Sequence, residues 1–565
     1  MPAAVAVAVP RLWQQLAVPL LIVAAAAAVR FLFWNGPLGS DDVVYLRRSL
    51  DVASGEWSTA NYNGALRYGF NIPAGMLLRV LGTNDFTVNL WPLFCSLAEI
   101  GVVYAFAREL WGTRAAATSA LILAFVPLHI ASATRIHADP VVALFVTLSF
   151  TLFYWAERRQ SRWLFFWTGI AMGAVFWTKE LAIVALVPLI AYPLLWRRLR
   201  IRWLYVVAGG GAMLVAHLVL MYVITGDPLH LFKVVTGQVS RDFIGKGGGE
   251  DAAGYYLRYL FLDIKHTWIV AFLACAGIAL FVRARWRGAA SGDGTTVSTA
   301  GSFGGGSRAF DREGTSFVLF WCIGMLLVLS IMPVSLSPLR FVMKQSNYLT
   351  LFLAPVALLA GWFTASLAPR LGLAVIGLVI VGGVLLGAFE QQAYRVVTSN
   401  SKAALALLDA YPQATIYGTS NNSNIAAYQS MIEGVPSIEH RVDTYSALAK
   451  SKKPPEDRGG ERLVVLDRET WNWGGNSMPV ERIPPCWSIR GDLVPTGFGW
   501  GRSVVLALDG VATLAPSRLG APVRRALGAI ANPLPATVYA VDSTIAECDP
   551  VPGINPALGP TAGPR

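Results

Sequence analysis

Apolar runs dominate the chain from about residue 12 to residue 388 and then give way to mixed polar and apolar sequence. Runs at 12–34, 86–107, 115–130, 140–156, 163–177, 181–196, 203–224, 268–282, 317–332, 348–364 and 371–389 predict about eleven membrane-spanning helices. Several are short for a full crossing and are expected to extend into their flanks. A polar loop, 35–71, follows the first run. In it Val43, Val44, Leu46, Leu50 and Val52 are interleaved with Arg47, Arg48 and Asp51, which predicts a short amphipathic helix on the membrane surface. The apolar stretch 73–81 is too short to span and reads as a second interfacial piece. Beyond residue 390 the pattern changes. Thr415-Ile416-Tyr417-Gly418 and Arg462-Leu463-Val464-Val465-Leu466 read as short buried strands and 402–408 as helix, so a small α/β domain is expected. The chain is thus expected to divide into a transmembrane domain, 1–389, with its outer first loop at 35–71, a flexible cytoplasmic loop at 283–316 rich in Gly, Ser and Thr, and an α/β domain, 390–565, ending in a Pro/Gly-rich tail.

Composition agrees with this pattern. Hydrophobic residues make up 55% of the chain and charged residues only 14%, with mean hydropathy +0.51, against about 25% charged in a soluble protein. The formal net charge of +12 does not point to nucleic acid, because the basic residues cluster at one set of connections: Arg108 and Arg114; Arg158, Arg159 and Arg162; Arg197, Arg198, Arg200 and Arg202; Arg283, Arg285 and Arg287. Counting spans in order puts all of these on one side. The positive-inside rule then predicts a cytoplasmic N-terminus, an extracytoplasmic C-terminal domain and a multi-pass protein of the plasma (inner) membrane. Three of the five cysteines lie in apolar runs. Cys486 and Cys548 fall in the expected outer domain, where a disulfide is permitted.

The remaining connections gather the chemically capable residues on the other face. The pair Asp41-Asp42 opens the amphipathic stretch. A carboxylate there can act as a general base, two together can bind a divalent cation, and either can cap a helix. Arg135, His137 and Asp139 precede a span, and Asp139-Pro140 is also a helix-start signature. Lys179 and Glu180 sit between two apolar runs, where charge is costly and is paired or functional. Adjacent positions on a helix do not face one another, so pairing with each other is disfavoured. Lys344 and Tyr348 at the mouth of a span suit a lipid phosphate, and equally an interfacial belt. A nucleotide-binding G-x-x-x-x-G-K-[ST] and a zinc-binding H-E-x-x-H are both missing from the sequence. Gly169-x-x-x-Gly173 reads as close helix packing.

Taken in order, these stretches resemble the GT-C membrane glycosyltransferases, and within them the glycosyltransferase family 39-like group of protein O-mannosyltransferases and aminoarabinose transferases. The resemblance rests on Gly39-Ser40-Asp41-Asp42-Val43-Val44-Tyr45; Arg67-Tyr68-Gly69 with Pro73; Ser132-Ala133-Thr134-Arg135 with Asp139; Trp177-Thr178-Lys179-Glu180; and Lys344 to Tyr348 followed by Ala354-Pro355. It covers about residues 10–390. The family usually carries Asp-Glu where this chain has Asp41-Asp42. The resemblance implies a polyprenyl-phosphate sugar donor, an inverting displacement and an extracytoplasmic acceptor that is a lipid, a glycan or a protein. Asp41 would be the base, and Asp42 its partner or a metal ligand. Arg135, Lys179 and Lys344 would neutralise the leaving phosphate, with Arg67, His137, Asp139, Glu180 and Tyr348 completing the substrate-binding set. The competing classes are a secondary transporter or lipid flippase, and a non-catalytic membrane assembly protein.

Overall fold

A computed structural model describes residues 8–57, 59–195, 200–238, 254–290, 311–337, 339–341, 344–450, 461–467, 483–484, 486–514 and 516–541. Residues 291–310 of the expected flexible loop lie outside the described residues, while 283–290 and 312–316 are helical; Cys548 and the C-terminal tail lie wholly outside the described residues. The described chain forms two compact units. The first comprises residues up to 32, 51–76 and 90–386; the second comprises 33–50, 77–89 and 387 onward.

Helix follows helix in the first unit: α1 (Ala8–Leu32), then, after α2 (Asp41–Ser54) and α3 (Tyr68–Leu81), which both cross from one unit to the other, α4 (Leu90–Trp111), α5 (Thr113–Ala124), α6 (Pro127–Ala133), α7 (Asp139–Arg159) and α8 (Arg162–Thr178). The series continues with α9 (Val187–Leu195), α10 (Leu204–Thr225), the short α11 (His230–Gln238), α12 (Tyr255–Phe261) and α13 (Ile264–Thr267), then α14 (Val270–Ala290), α15 (Arg312–Ile331), α16 (Thr350–Ser366) and α17 (Pro369–Ala410). Each of the eleven apolar runs is helical. Among the described residues six helices are long and apolar enough to cross a membrane by themselves, or seven if the bent α5–α6 pair counts as one. The chain is a multi-pass membrane protein. The other runs fall short for local reasons. The run at 181–196 begins as a 3-10 helix, Glu180–Leu186, with Pro188 and Pro193 following, and α14 carries Arg283, Arg285 and Arg287. The stretch 73–81 is the latter part of α3 and not a separate piece.

Glycines set the closest approach in this bundle. A Cβ at Gly169 would collide with the backbone at Val206 and Gly210, and one at Gly173 with Met213, so α8 and α10 pack backbone to backbone. A buried polar chain crosses the apolar interior. Arg30 on α1 donates to Ser96 Oγ and to the carbonyls of Ala26 and Ala124; its Nη2 lies 2.6 Å from His129 Nδ1. His129 Nε2 is 3.1 Å from Glu99, which also accepts from Thr147 at 2.9 Å. Unpaired charge inside a bilayer protein is expensive, so this chain pins α1, α4, α6 and α7 around the bend between α5 and α6.

The second unit carries the expected α/β fold. Its five-stranded sheet has the order β4-β3-β5-β7-β6, with β3 Thr415–Gly418, β4 Val442–Thr444, β5 Arg462–Leu466, β6 Trp487–Leu493 and β7 Ala536–Val541. A separate hairpin, β1 Pro333–Leu336 and β2 Leu339–Phe341, belongs to the first unit. Strands β4, β3 and β5 run parallel, and β7 and β6 add antiparallel. The buried β3 and β5 coincide with the two strands read from the sequence. The helix expected at 402–408 is the end of α17, which runs unbroken from the apolar stretch into the sheet domain, where Ala404, Leu407 and Leu408 pack on Ile416 and Leu463. Helix α18 (Ser420–Glu433) starts with a capping box between Thr419 and Asn422. Short α19 (Pro436–His440) follows. Cys486 is disulfide-bonded.

Candidate functional site

In the first unit the structure gathers residues from three distant parts of the sequence around Asp139. The side chain is 1% exposed. Its Oδ1 accepts from Lys179 Nζ at 2.7 Å, and its Oδ2 accepts from Asn347 Nδ2 at 2.9 Å and lies 2.7 Å from His137 Nδ1. Asp139 is therefore more than the helix start that Asp139-Pro140 suggests: it is the anion around which two loops and a helix end are organised. Lys179 lies just past the last turn of α8, at an extended residue, and its ammonium also sits 4.3 Å from the centre of the buried Tyr348 ring.

Glu180 points elsewhere, as adjacency requires. It accepts from Asn63 Nδ2 at 2.6 Å and has Arg67 Nε 3.5 Å away. The Arg67-Tyr68-Gly69 stretch has a steric reason here. A Cβ at Gly69 would collide with Thr178 Oγ1 and the backbone of Trp177 and Thr178, so only glycine lets the start of α3 close over the Lys179 loop. Lys344 is buried after the β1–β2 hairpin, 5.2 Å from the Phe341 ring. Arg135 is half-buried in the bend between α6 and α7, two residues before His137. Asn63 and Asn347 are the members that sequence reasoning missed. Neutral amides carry no charge signal, and only their neighbours Lys344 and Tyr348 marked the second of them.

The Asp41-Asp42 pair belongs to the second unit, and its two members do different things. Asp42 is buried. Its carboxylate reaches back along the chain to accept the N–H groups of Leu38, Gly39 and Ser40 at 2.7, 3.2 and 2.5 Å. Successive amides wrapped around an anion form a backbone nest. Gly39 has φ +76, and a Cβ there would run into the Asn421 amide, so this position requires glycine. Asn424 of α18 donates to the Gly39 carbonyl at 2.8 Å, and Arg47 pairs with Glu439 at 2.5 Å. The loop is thus held from both sides, with Asp41 exposed at the first turn of α2. Asp42 thereby fixes the turn that leads into Asp41. Three of its acceptor positions are taken by these amides. Among the described residues no group of three His, Cys, Asp or Glu side chains is arranged to hold a metal ion.

Residues 72–222 match the family described as dolichyl-phosphate-mannose-protein mannosyltransferase. This segment contains Arg135, His137, Asp139, Lys179 and Glu180. Among solved structures the chain is similar to ArnT from Cupriavidus metallidurans in the apo state, at 17% identity and TM-score 0.53, covering 93% of this chain and 98% of that one. It is likewise similar to the same protein bound to undecaprenyl phosphate, at 18% identity and TM-score 0.51, with the same coverage. The chain has the GT-C fold. The resemblance drawn from the motif order therefore stands, and the GT-C architecture extends through the α/β region, which carried no recognisable motif. No curated protein matches the sequence.

Proposed function

We propose that this protein is a membrane glycosyltransferase that moves a sugar from a polyprenyl-phosphate donor to an acceptor outside the cytoplasm, with inversion. The observation that carries this reading is the match of residues 72–222 to a sugar-transferring family, because that segment contains most of the Asp139 cluster. The bound undecaprenyl phosphate of the Cupriavidus protein supports a polyprenyl phosphate as the carrier.

In this reaction the acceptor's O–H or N–H attacks the anomeric carbon while the C–O bond to phosphate breaks. Its electron pair leaves with the polyprenyl phosphate, and the acceptor's proton passes to a base. Asp41 is that base: it is an exposed carboxylate on a loop made rigid by Asp42. The cations Lys179, Arg135 and Lys344 offset charge on the leaving phosphate, and His137 and Asn347 hold Asp139, which in turn sets where Lys179 lies. Arg67, Glu180 and Tyr348 line the same part of the first unit. The N-terminus is cytoplasmic and the α/β region extracytoplasmic, at the plasma (inner) membrane, in keeping with the alternation of basic clusters. The transporter and assembly readings have less support, since the charged side chains cluster about Asp139 and Glu180 in the segment that matches a transferase family.

Mass analysis of cell-envelope lipids, glycans and glycoproteins after deletion of the gene tests the proposal. It predicts loss of one sugar residue from one envelope component, restored by the wild-type gene. An unchanged envelope would contradict it.

A further inference from the structure

A cavity of about 610 Å³ opens within the second unit, of the size of small-molecule sites in general. Arg395 and Lys402 of α17 form one wall, seven residues apart and so on one face of the helix. Trp34, Pro37, Tyr428 and Arg441 contribute others.

The three cations share an unusual property: none is ion-paired to a carboxylate among the described residues. Arg395 donates to the carbonyls of Gly497 and Trp34 at 2.8 and 2.6 Å. Arg441 donates to the carbonyls of Ala414, Leu408 and Tyr411. Both guanidinium groups are thereby held by carbonyl oxygens, with no carboxylate in direct contact among the described residues. Lys402 lines the cavity, and its ammonium makes no hydrogen bond or ion pair among the described residues. Three acidic residues also line the cavity, Asp85, Asp409 and Glu433; all three are exposed, and the Asp85 charge acts on Arg395 and Lys402 from a distance. Asp85 accepts from the Tyr428 hydroxyl at 2.8 Å, and Glu433 from Gln429 at 2.6 Å. Half-buried cations with no carboxylate in contact and only exposed carboxylates nearby are unfavourable, and an anion entering the cavity would relieve them. The rest of the lining is not that of a bare ion site. An indole, a phenol hydroxyl, the Gln429 amide and the Ser437 hydroxyl suit a ring that carries hydroxyl groups.

We propose that this cavity binds an acidic saccharide, a sugar unit carrying a carboxylate or a phosphate, as the acceptor side of the reaction. The acceptor assignment rests on the sugar-transfer reading above. It is supported by continuity of the chain: Gly36 and Pro37 line the cavity, and the next three amides hold Asp42 beside Asp41.

The test is equilibrium binding to the full-length protein in lipid nanodiscs, by calorimetry, with glucuronic acid, glucose 6-phosphate, glucose and inorganic phosphate. The two acidic sugars should bind at least about tenfold more tightly than glucose or phosphate, the factor expected from one charge-assisted contact. Lys402→Met should remove most of that preference without changing glucose binding, and Lys402→Arg, which keeps the charge, should restore it. Equal binding of glucose and glucuronic acid, or full preference in Lys402→Met with its unfolding temperature intact, would overturn the proposal. Phosphate binding as tightly as glucose 6-phosphate would overturn the saccharide assignment and leave an anion site. If the protein transfers sugar but binds no acidic saccharide, the proposal for the cavity falls while the transferase reading stands. If it binds acidic saccharides but transfers nothing, the acceptor assignment falls with the transferase reading.

Discussion

Replacing Asp139 with Asn leaves its shape almost unchanged and removes only its charge. An Asn oxygen can still accept one hydrogen bond, but the Lys179 ammonium, 7% exposed and 2.7 Å from the carboxylate, then has no counter-charge at that position. Removing one member of a buried ion pair costs about 3–5 kcal/mol. Lys179→Met should cost less, because Asp139 keeps its contacts with Asn347 and the His137 ring. The double variant Asp139→Asn with Lys179→Met removes both charges and should recover part of the loss, with a coupling energy of about 2 kcal/mol or more. Equilibrium unfolding of the purified protein in mixed detergent micelles, followed by tryptophan fluorescence, measures all three. A cost under about 1 kcal/mol for Asp139→Asn, or a double variant equal to the sum of the singles, would refute the claim that this pair organises the site.

Gly39→Ala should disturb the Asp42 nest by forcing an L residue into φ +76 against Asn421. A local cost of about 1–2 kcal/mol should appear as faster hydrogen exchange at residues 38–40, and unchanged protection there would argue against the nest. Burial, with the nearby Arg395 charge adding to it, lowers the Lys402 pKa to about 8, in the polar part of α17 beyond its apolar stretch. That folded value lies below the ordinary 10.5, so the ammonium costs stability as pH falls from that ordinary value to about 8, and a bound anion opposes this. Affinity for an acidic sugar should therefore decline as pH rises through about 8, while glucose affinity stays flat. An alkaline phosphatase fused at Arg565 should be active if the α/β region is extracytoplasmic, and activity confined to a cytoplasmic reporter fused there would reverse the orientation.

The apolar runs could be read directly because lipid-facing and core-facing helices both demand them, and the two buried strands β3 and β5 showed as continuous apolar segments. Helix breaks were harder to see. The bend between α5 and α6 depends on Pro127 and on the buried Arg30–His129–Glu99 chain, in which residues 30, 99 and 129 meet only after folding. Charged residues announced the site because charge near apolar spans is costly, so Asp139, Lys179 and Glu180 stood out. Their partners did not: Lys179 pairs with a residue forty positions earlier and Glu180 with one 117 positions earlier. Nor did adjacency reveal that Asp41 and Asp42 divide their work, since the orientation of Asp42 follows from the backbone turn at Gly39. The cavity of the second unit was equally hidden, since it forms only when residues 34–37 meet α17 and α18.

The central claim is transfer from a polyprenyl-phosphate sugar with Asp41 as base. Purified wild-type protein and Asp41→Asn, reconstituted in nanodiscs with polyprenyl-phosphate-linked sugars and envelope extract as acceptor, can be followed by release of polyprenyl phosphate. Wild type should release it only when acceptor is present. Asp41→Asn should fold and bind donor normally yet run about 10²–10⁴-fold slower, the usual cost of losing a general base. No release by wild type with any donor, or near-normal release by Asp41→Asn, would contradict the account.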